Sequence, residues 1–210
     1  MAYTRANPSP RYVDLVRAYE TLHSEGDENN NIPATDMFDG RSLVPHMQMI
    51  GAAVENLKLR TLLDYGCGKA TAYEKALLTL PDGRKLRGLK DIWGVDSITL
   101  YDPGYAPYRK VPMGKFDGVV CTDVLEHCPE EDIDWIVGEL FGYADKFVFC
   151  TVACYPARKK LPSGENAHIT IKKPGWWMDK IEDVAAKHPA IRFLARLDLA
   201  RQGRHLVIEG

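Results

Sequence analysis

The amino-acid sequence predicts an α/β fold with a doubly wound, mostly parallel sheet. Short apolar segments typical of strands alternate with longer segments whose apolar residues recur at helical spacing. Lys146–Tyr155 is apolar on both faces, which is typical of a strand in the middle of a parallel sheet. Thr61–Tyr65 ends abruptly in the glycine turn Gly66-Cys67-Gly68, where a strand passes into a helix. Together these observations predict a parallel sheet covered by helices.

Two helices are predicted ahead of the first strand. Tyr12–His23 carries an apolar stripe at helical spacing, and Ser42–Leu57 begins at a serine that can cap it. We therefore expect a single domain over residues 1–210. In it, residues 1–58 form a helical lead-in or lid, and residues 59–210 form the core.

From residue 59 onward, strands and helices are predicted to alternate until a closing antiparallel pair of strands. In chain order we expect strand Thr61–Tyr65, helix Ala70–Leu80, strand Ile98–Tyr101, strand Phe116–Thr122, helix Glu130–Phe141, strand Lys146–Tyr155, helix Pro174–Lys187, and the strands Ile191–Leu199 and His205–Glu209. Only thirteen residues separate Asp102 from Phe116, too few for a further helix, strand and loop. The region after the second strand is therefore predicted to be shortened.

Composition and charge exclude several classes of protein. The chain has 210 residues, of which 45% are hydrophobic, and 27 basic against 29 acidic side chains. This is typical of one soluble globular domain and not of a disordered, collagen-like or disulfide-scaffolded protein. The longest apolar run, Phe147–Tyr155, is too short to span a bilayer, and no apolar signal-peptide segment is visible at the start.

Cysteine usage and net charge bear on compartment and partners. The five cysteines form no C-x-x-C pair, which together with the missing signal favours a cytoplasmic protein with no membrane partner. The net charge of −2 gives no overall attraction to nucleic acid, and the missing basic face and compact size disfavour long nucleic acid as a partner. The sequence leaves the oligomeric state open.

The segment Asp64–Gly68 is the most informative part of the sequence. Glycines at a strand-to-helix turn let the backbone approach a ligand, and the start of the helix offers unpaired N–H groups. A dinucleotide-binding turn would need a third glycine where Thr71 stands, which argues against a nicotinamide-dependent oxidoreductase. The carboxylate of Asp64 suits a ligand that bears an ammonium group better than one that bears a pyrophosphate.

Two motifs, in this order, resemble those of the class I S-adenosylmethionine-dependent methyltransferases. Asp64, Gly66 and Gly68 match the first motif of that family, an acidic residue followed by G-x-G-x-G. Ala70 replaces the last glycine of that motif, and Phe116–His127 resembles the motif at the family's fourth strand. The resemblance implies a Rossmann-like sheet of the seven-stranded type. It also implies S-adenosylmethionine as the cofactor, S-adenosylhomocysteine as its product, and a small-molecule acceptor.

The same resemblance implies which residues hold the cofactor. The family uses an acidic residue at the end of the second strand to bind both ribose hydroxyls, a role for which a carboxylate is well suited. Asp96 and Asp102 are both candidates, and we favour Asp102 because Pro103-Gly104 ends its strand sharply. The expected cofactor-binding residues are Asp64, Tyr65, Gly66, Cys67, Gly68, Asp102, Pro103, Thr122 and Asp123.

The acceptor chemistry implied by the resemblance is O-methylation of a small polar molecule, such as a sugar or nucleotide. An oxygen nucleophile usually needs a base or a metal to shed its proton. We expect His127 to be that base, with His168 as the second candidate and Asp123 as a further catalytic group beside them.

Side chains outside the two motifs are further candidates. Segments ahead of the first strand often fold over the cofactor in this family, so Arg41 and His46 could reach the site, although His46 is more typical of a structural residue. Trp176 and Trp177 could wall a substrate pocket or pack in the core. Five basic side chains between residues 155 and 173 could bind an anionic acceptor or form a solvated edge. They are Arg158, Lys159, Lys160, Lys172 and Lys173.

Two alternatives stay open. Two branches of the family hold a divalent metal, Mg²⁺ or another, with an acidic-x-x-Glu-His arrangement. Asp123, Glu126 and His127 match that spacing, and His168 could add an imidazole, which would make the protein a metal-dependent 2′-O- or catechol-type O-methyltransferase. The other alternative is a catalytically silent module that binds S-adenosylmethionine. Ala70 and the shortened middle region favour it, whereas the intact segment from Asp123 to His127 argues against it.

Overall fold

In the computed structural model, strands and helices alternate along the described residues, which are 2–27, 31–79, 81–200 and 203–210. The strands are β1 (Thr61–Tyr65), β2 (Leu77–Thr79), β3 (Lys85–Arg87), β4 (Ser97–Tyr101), β5 (Phe116–Thr122), β6 (Ala144–Ala153), β7 (Arg192–Asp198) and β8 (His205–Glu209). The helices are α1 (Pro10–Glu25), α2 (Met47–Leu57), α3 (Ala72–Lys75), α4 (Leu89–Trp93), α5 (Ile133–Tyr143) and α6 (Pro174–Ala185). None of the helices described is both long and apolar enough to cross a membrane.

The main sheet of the described residues has six strands in the order β4-β1-β5-β6-β7-β8. The first five strands in this order pair in parallel, and β8 at the edge pairs antiparallel with β7. The predicted α/β class, the mostly parallel sheet and the antiparallel closing pair are therefore confirmed. The sheet does not reach the seven-stranded type within the described residues. Residues 103–115, all of them described, contain the 3-10 turn Ala106–Tyr108 and no strand, in agreement with the predicted shortening.

The helix predicted over Ala70–Leu80 is wrong beyond its first turn. After the four residues of α3, Ala76 adopts extended backbone, and its carbonyl accepts the N–H of Gly88 at 2.8 Å. β2 and β3 then form a separate two-stranded antiparallel sheet. Leu77 and Leu78 are 61% and 41% exposed, so these two apolar residues face solvent rather than the core. Leu80 lies outside the described residues.

The two predicted N-terminal helices form with different bounds. The side chain of Ser9 accepts the N–H of Tyr12 at 3.0 Å, so α1 begins earlier than its apolar stripe suggests. The first turn of the second predicted helix is the 3-10 helix Arg41–His46, which contains Pro45, and α2 follows it.

The side chains of β1 point alternately toward the helices on the two faces of the sheet. Leu63 and Tyr65 pack in the cluster formed with α5 and α6, whereas Leu62 packs in the cluster formed with α2 and α4. Because successive side chains of a strand point to opposite faces, Asp64 lies on the same face as Leu62. Asp64 and Tyr65 therefore leave the carboxyl end of β1 on opposite sides of the sheet.

The N-terminal segment is tied to the carboxyl edge of the sheet. Leu15 and Leu22 of α1 pack against Leu161 in a small apolar cluster beside the main core. Lys69, next to the glycine turn, donates from Nζ to three backbone carbonyls between residues 23 and 37, at 2.5 to 3.2 Å. α1 and the segment that follows it thus cover the strand ends where the sequence motifs lie.

Candidate functional site

A cavity of about 830 Å³ lies at the carboxyl ends of β1, β4 and β5, beside α1 and the segment 36–42. Its volume is in the range of small-molecule sites, and the carboxyl edge of a parallel sheet is where such folds bind ligands. Ten of the eleven residues predicted for cofactor binding or catalysis line it. They are Tyr65, Gly66, Cys67, Gly68, Asp102, Pro103, Thr122, Asp123, His127 and His168. The eleventh, Asp64, lies outside the cavity wall.

The glycine turn faces the cavity, but its N–H groups are bonded within the protein. The amides of Gly66 and Cys67 donate to the carbonyl of Tyr101, at 2.7 and 3.1 Å. Those of Lys69 and Thr71 donate to the carbonyls of residues 38 and 39, at 2.7 and 2.9 Å. The amides of Gly66, Cys67, Lys69 and Thr71 are therefore already bonded within the protein, the last two of them to the N-terminal segment.

Asp96 and Asp102 lie at opposite ends of β4. Asp96 precedes the strand, is exposed and pairs with Arg60 at 2.5 Å. Asp102 follows the strand on the cavity wall, where its two oxygens accept the N–H groups of Gly68 and Gly104, each at 2.8 Å. Burial raises the pKa of the Asp102 carboxyl, and these backbone donors oppose that shift. Of the two candidates, Asp102 is the one within reach of a ligand in the cavity.

Asp64 lies behind the glycine turn. Its Oδ2 accepts the O–H of Tyr73 at 2.8 Å, and its Oδ1 is buried without a partner among the described residues. Burial raises the pKa of Asp64 to about 7, the bond from Tyr73 lowers it, and the nearby charge of Asp102 raises it further. This position gives Asp64 no direct contact with the cavity, and its cofactor-binding role stays a prediction.

Asp123 follows β5 in left-handed backbone, with φ of 54°, a conformation that non-glycine residues rarely adopt. Its N–H donates to Oγ1 of Thr151, and the Thr151 hydroxyl donates back to Oδ1 of Asp123, both at 3.0 Å. The side chain is open to the cavity, yet the surrounding protein removes enough water to raise its pKa. Strained backbone of this kind is frequent at ligand sites.

His127 and His168 lie together on the cavity wall, with ring centroids 4.9 Å apart and planes nearly perpendicular. Nδ1 of His127 is 2.8 Å from the carbonyl of Ala167 and 2.8 Å from the hydroxyl of Tyr19. Because a carbonyl only accepts, we assign the proton to Nδ1, which leaves the lone pair on Nε2. Burial lowers the pKa of His127 to about 3, and the nearby charges of His168 and Lys159 lower it as well. The hydrogen bond to the Ala167 carbonyl opposes this shift. His127 is therefore neutral at physiological pH.

Glu126 is turned away from the two imidazoles. Its Oε1 accepts the N–H of Ala153 at 2.8 Å, and its Oε2 is buried without a partner among the described residues. Burial raises the pKa of Glu126 well above its usual value, and Asp123 adds to that shift. Within the described part of the chain, no three His, Cys, Asp or Glu side chains converge as a metal site requires. Asp123, His127 and His168 line the cavity, whereas Glu126 bonds to β6 and lies outside the cavity wall, so the four-residue metal set stays a prediction.

No family model, curated protein or solved structure matches this chain. Its function is therefore argued from the sequence motifs and from the geometry of the cavity. The cavity includes side chains of α1, which the motifs alone do not reveal.

The side chains that motif analysis missed come from the N-terminal segment. Tyr12, Tyr19 and His23 of α1 line the cavity, together with Phe38, whose ring lies 5.5 Å from that of Tyr19. A signal for them was present in the sequence, since ring-bearing residues recur at spacings of seven and four on one face of a predicted helix. Nothing local in the sequence indicates that this face covers the strand ends.

Some of the candidate residues outside the two motifs line the cavity, and others are buried in the core. Arg41 lines the cavity, whereas His46 is buried beside β6 and lies outside the wall. Trp177 is fully buried in the core. Of the five basic residues between 155 and 173, Arg158 and Lys159 line the cavity.

Proposed function

We propose that this protein is an S-adenosylmethionine-dependent methyltransferase that methylates a hydroxyl oxygen of a small polar acceptor, sugar-like or nucleotide-like. The observation that carries the proposal is the meeting of three elements at one cavity. They are the glycine turn after β1, Asp102 after β4, and the segment Asp123–His127 after β5. The family resemblance assigns these same elements to the cofactor and the reacting groups.

The residues of the cavity fit this cofactor in size, charge and hydrogen bonding. A volume of about 830 Å³ accommodates a ligand of that size together with a small acceptor. Gly68 and Gly104 donate to different oxygens of Asp102, and a carboxylate has about four lone-pair sites, so acceptor capacity remains for a ribose hydroxyl. The open carboxylate of Asp123 favours positive charge in the cavity. The bound cofactor supplies a methyl group on a positively charged sulfur.

The chain's own contribution to the transfer is orientation and proton acceptance. Aligning the acceptor oxygen with the methyl carbon is the larger part of the catalysis of such a displacement. Neutral His127 has its Nε2 lone pair available to accept a hydrogen bond from the acceptor hydroxyl. That hydroxyl releases its proton to Nε2 late in the transfer, when the oxygen has become acidic, because an imidazole with so low a pKa is a weak base. His168, adjacent to His127, is the second group able to take the proton.

Calorimetric titration with S-adenosylhomocysteine tests the proposal. We expect wild-type protein to bind it and Asp102→Asn to bind at least about ten-fold more weakly, because hydrogen bonds to a charged group contribute about 1.5–3 kcal/mol each. Asp96→Asn is the matched control, since Asp96 is exposed at the other end of the same strand. Its affinity should stay within about two-fold of wild type. A folded wild-type protein that does not bind would reject the proposal, and equal weakening in both variants would reject the role of Asp102.

The same titration with Mg²⁺ tests the metal-dependent alternative. We expect no change in affinity, because Glu126 is bonded to the Ala153 amide and does not reach the cavity. Tighter binding in Mg²⁺ that Asp123→Asn abolishes would favour the metal-dependent alternative.

A further inference from the structure

Two cationic side chains on the cavity wall have no role in the proposed cofactor site. Lys159 and Arg158 both line the cavity. Among the described residues, neither has a carboxylate partner at ion-pair distance, in contrast to Arg41, which pairs with Asp39 at 2.5 Å. A cation without a carboxylate partner on a concave wall favours an anionic ligand.

The ammonium of Lys159 is held at the wall by weak partners. Its Nζ lies 4.7 Å from the ring centroid of Phe38 and 3.6 Å from Sδ of Met37. Burial lowers the pKa of Lys159, while Asp39 and Asp27 attract the charge from beyond ion-pair distance. An ammonium has three N–H donors, and a ring face with a thioether leaves donors for a ligand.

The loop that carries Lys159 also carries His168, and internal hydrogen bonds hold its shape. The carbonyl of Lys159 accepts the N–H of Ala167 at 3.1 Å. The side-chain amide of Asn166 accepts from the N–H groups of Ala157 and His168, at 2.9 and 3.0 Å. Lys159 and His168 therefore stand on one loop with an internally bonded backbone, and both line the cavity in which one small molecule can contact them.

We propose that the acceptor carries an anionic group, which Lys159 and Arg158 bind while its hydroxyl faces His127 and His168. The assignment of the anion to the acceptor rests on the proposed function, whereas the anion site itself does not. Phosphate and carboxylate share the chemistry that the two cations recognise.

Titration with inorganic phosphate, and separately with acetate, at constant ionic strength tests the anion site. Amide chemical shifts report binding to wild type, Lys159→Gln and Lys160→Gln. Lys160 is the matched control, because it is the next residue, is exposed and lies outside the cavity wall. We expect saturable phosphate or acetate binding that weakens at least about five-fold in Lys159→Gln and less than about two-fold in Lys160→Gln. No saturable binding of either anion, or equal weakening in the two variants, overturns the inference. The tighter of the two anions identifies the acceptor's group.

Affinity for S-adenosylhomocysteine separates this inference from the proposed function. We expect Lys159→Gln to bind it within about two-fold of wild type, and saturating S-adenosylhomocysteine to leave anion binding intact. If Lys159→Gln loses that affinity, or if S-adenosylhomocysteine displaces the anion, the cations serve the carboxylate of the cofactor and the inference is overturned. If folded wild type binds phosphate but not S-adenosylhomocysteine, the anion site stands and the methyltransferase proposal fails.

Discussion

The hydroxyl of Tyr19 lies 2.8 Å from Nδ1 of His127 and donates to the carbonyl of Ala167 at 3.0 Å. One side chain of α1 therefore bonds both to the imidazole after β5 and to the backbone of the loop that holds His168. With Nδ1 protonated, the Tyr19 oxygen accepts from His127 while its own proton goes to Ala167. The N-terminal helix thus helps to orient the proposed base.

We expect Tyr19→Phe to lower the free energy of unfolding by about 0.5–1.5 kcal/mol, the usual contribution of a partly buried hydrogen bond. It should also speed hydrogen exchange of the α1 amides, because α1 loses its bond to the loop. Tyr12→Phe is the control, since Tyr12 lines the same cavity from the same helix but contacts Trp135 by an edge-to-face ring contact that the change preserves. Equal exchange rates in the two variants would contradict the assignment.

The buried carboxyl of Asp64 should make stability depend on pH. Its pKa is about 7 in the folded protein and about 3.9 in an unfolded chain. Between these values the folded state keeps a proton that the unfolded state has lost, so this group's contribution to stability falls as pH rises through that window. From pH 5 to 8, wild type should lose about 2–3 kcal/mol relative to Asp64→Asn, measured by denaturant unfolding. A difference that is constant across this range would contradict the prediction.

Gly66 and Val124 leave no room for a side chain at the glycine turn. A Cβ at Gly66 would lie 2.3 Å from Cγ2 of Val124, and the φ of Gly66 is +84°. We expect Gly66→Ala to cost about 2–4 kcal/mol of unfolding free energy, part from crowding and part from backbone strain. Adding Val124→Ala to Gly66→Ala should restore the part of the unfolding free energy that is lost to crowding.

The matched control for this pair is Gly68→Ala. There a Cβ would lie 2.1 Å from the backbone oxygen of Phe38, which no side-chain truncation removes. Val124→Ala should therefore rescue Gly66→Ala and fail to rescue Gly68→Ala. Similar recovery at both glycines would show that the Val124 contact is not the cause.

Arg5 ties the N-terminal segment to the last residues of β1 and β4. Its guanidinium pairs with Glu139 and donates to the hydroxyls of Tyr65 and Tyr101, at 2.8 and 2.7 Å. The Arg5 and Glu139 side chains are 27% and 20% exposed, so we expect Arg5→Met to cost about 1–3 kcal/mol of unfolding free energy, less than a fully buried pair. Arg17→Met should cost under about 0.5 kcal/mol because the ion pair of Arg17 within α1 is exposed. Equal costs in the two variants would contradict this account.

Local patterns predicted most of the fold. The predicted bounds of β1, β4, β5 and β6 lie within two residues of the observed ones. These strands have a local signal, because short apolar runs bounded by turn-forming residues are visible in the sequence itself. The helix over Ala70–Leu80 failed for the opposite reason. Its apolar residues match a helical period, but the carbonyl of Ala76 bonds to Gly88, and a contact across twelve residues leaves no local signal.

The sequence by itself determined the α/β class and which strand ends meet around the cavity, since the carboxyl ends of parallel strands lie at one edge of the sheet. Tertiary structure decided which side chains reach the cavity: Asp102 does, whereas Asp64 and Glu126 bond elsewhere. It also decided that Tyr19 meets His127, 108 positions away. Such pairings depend on how α1 and the loops pack over the sheet, and packing between distant segments is set by contacts that periodicity and motif spacing do not encode.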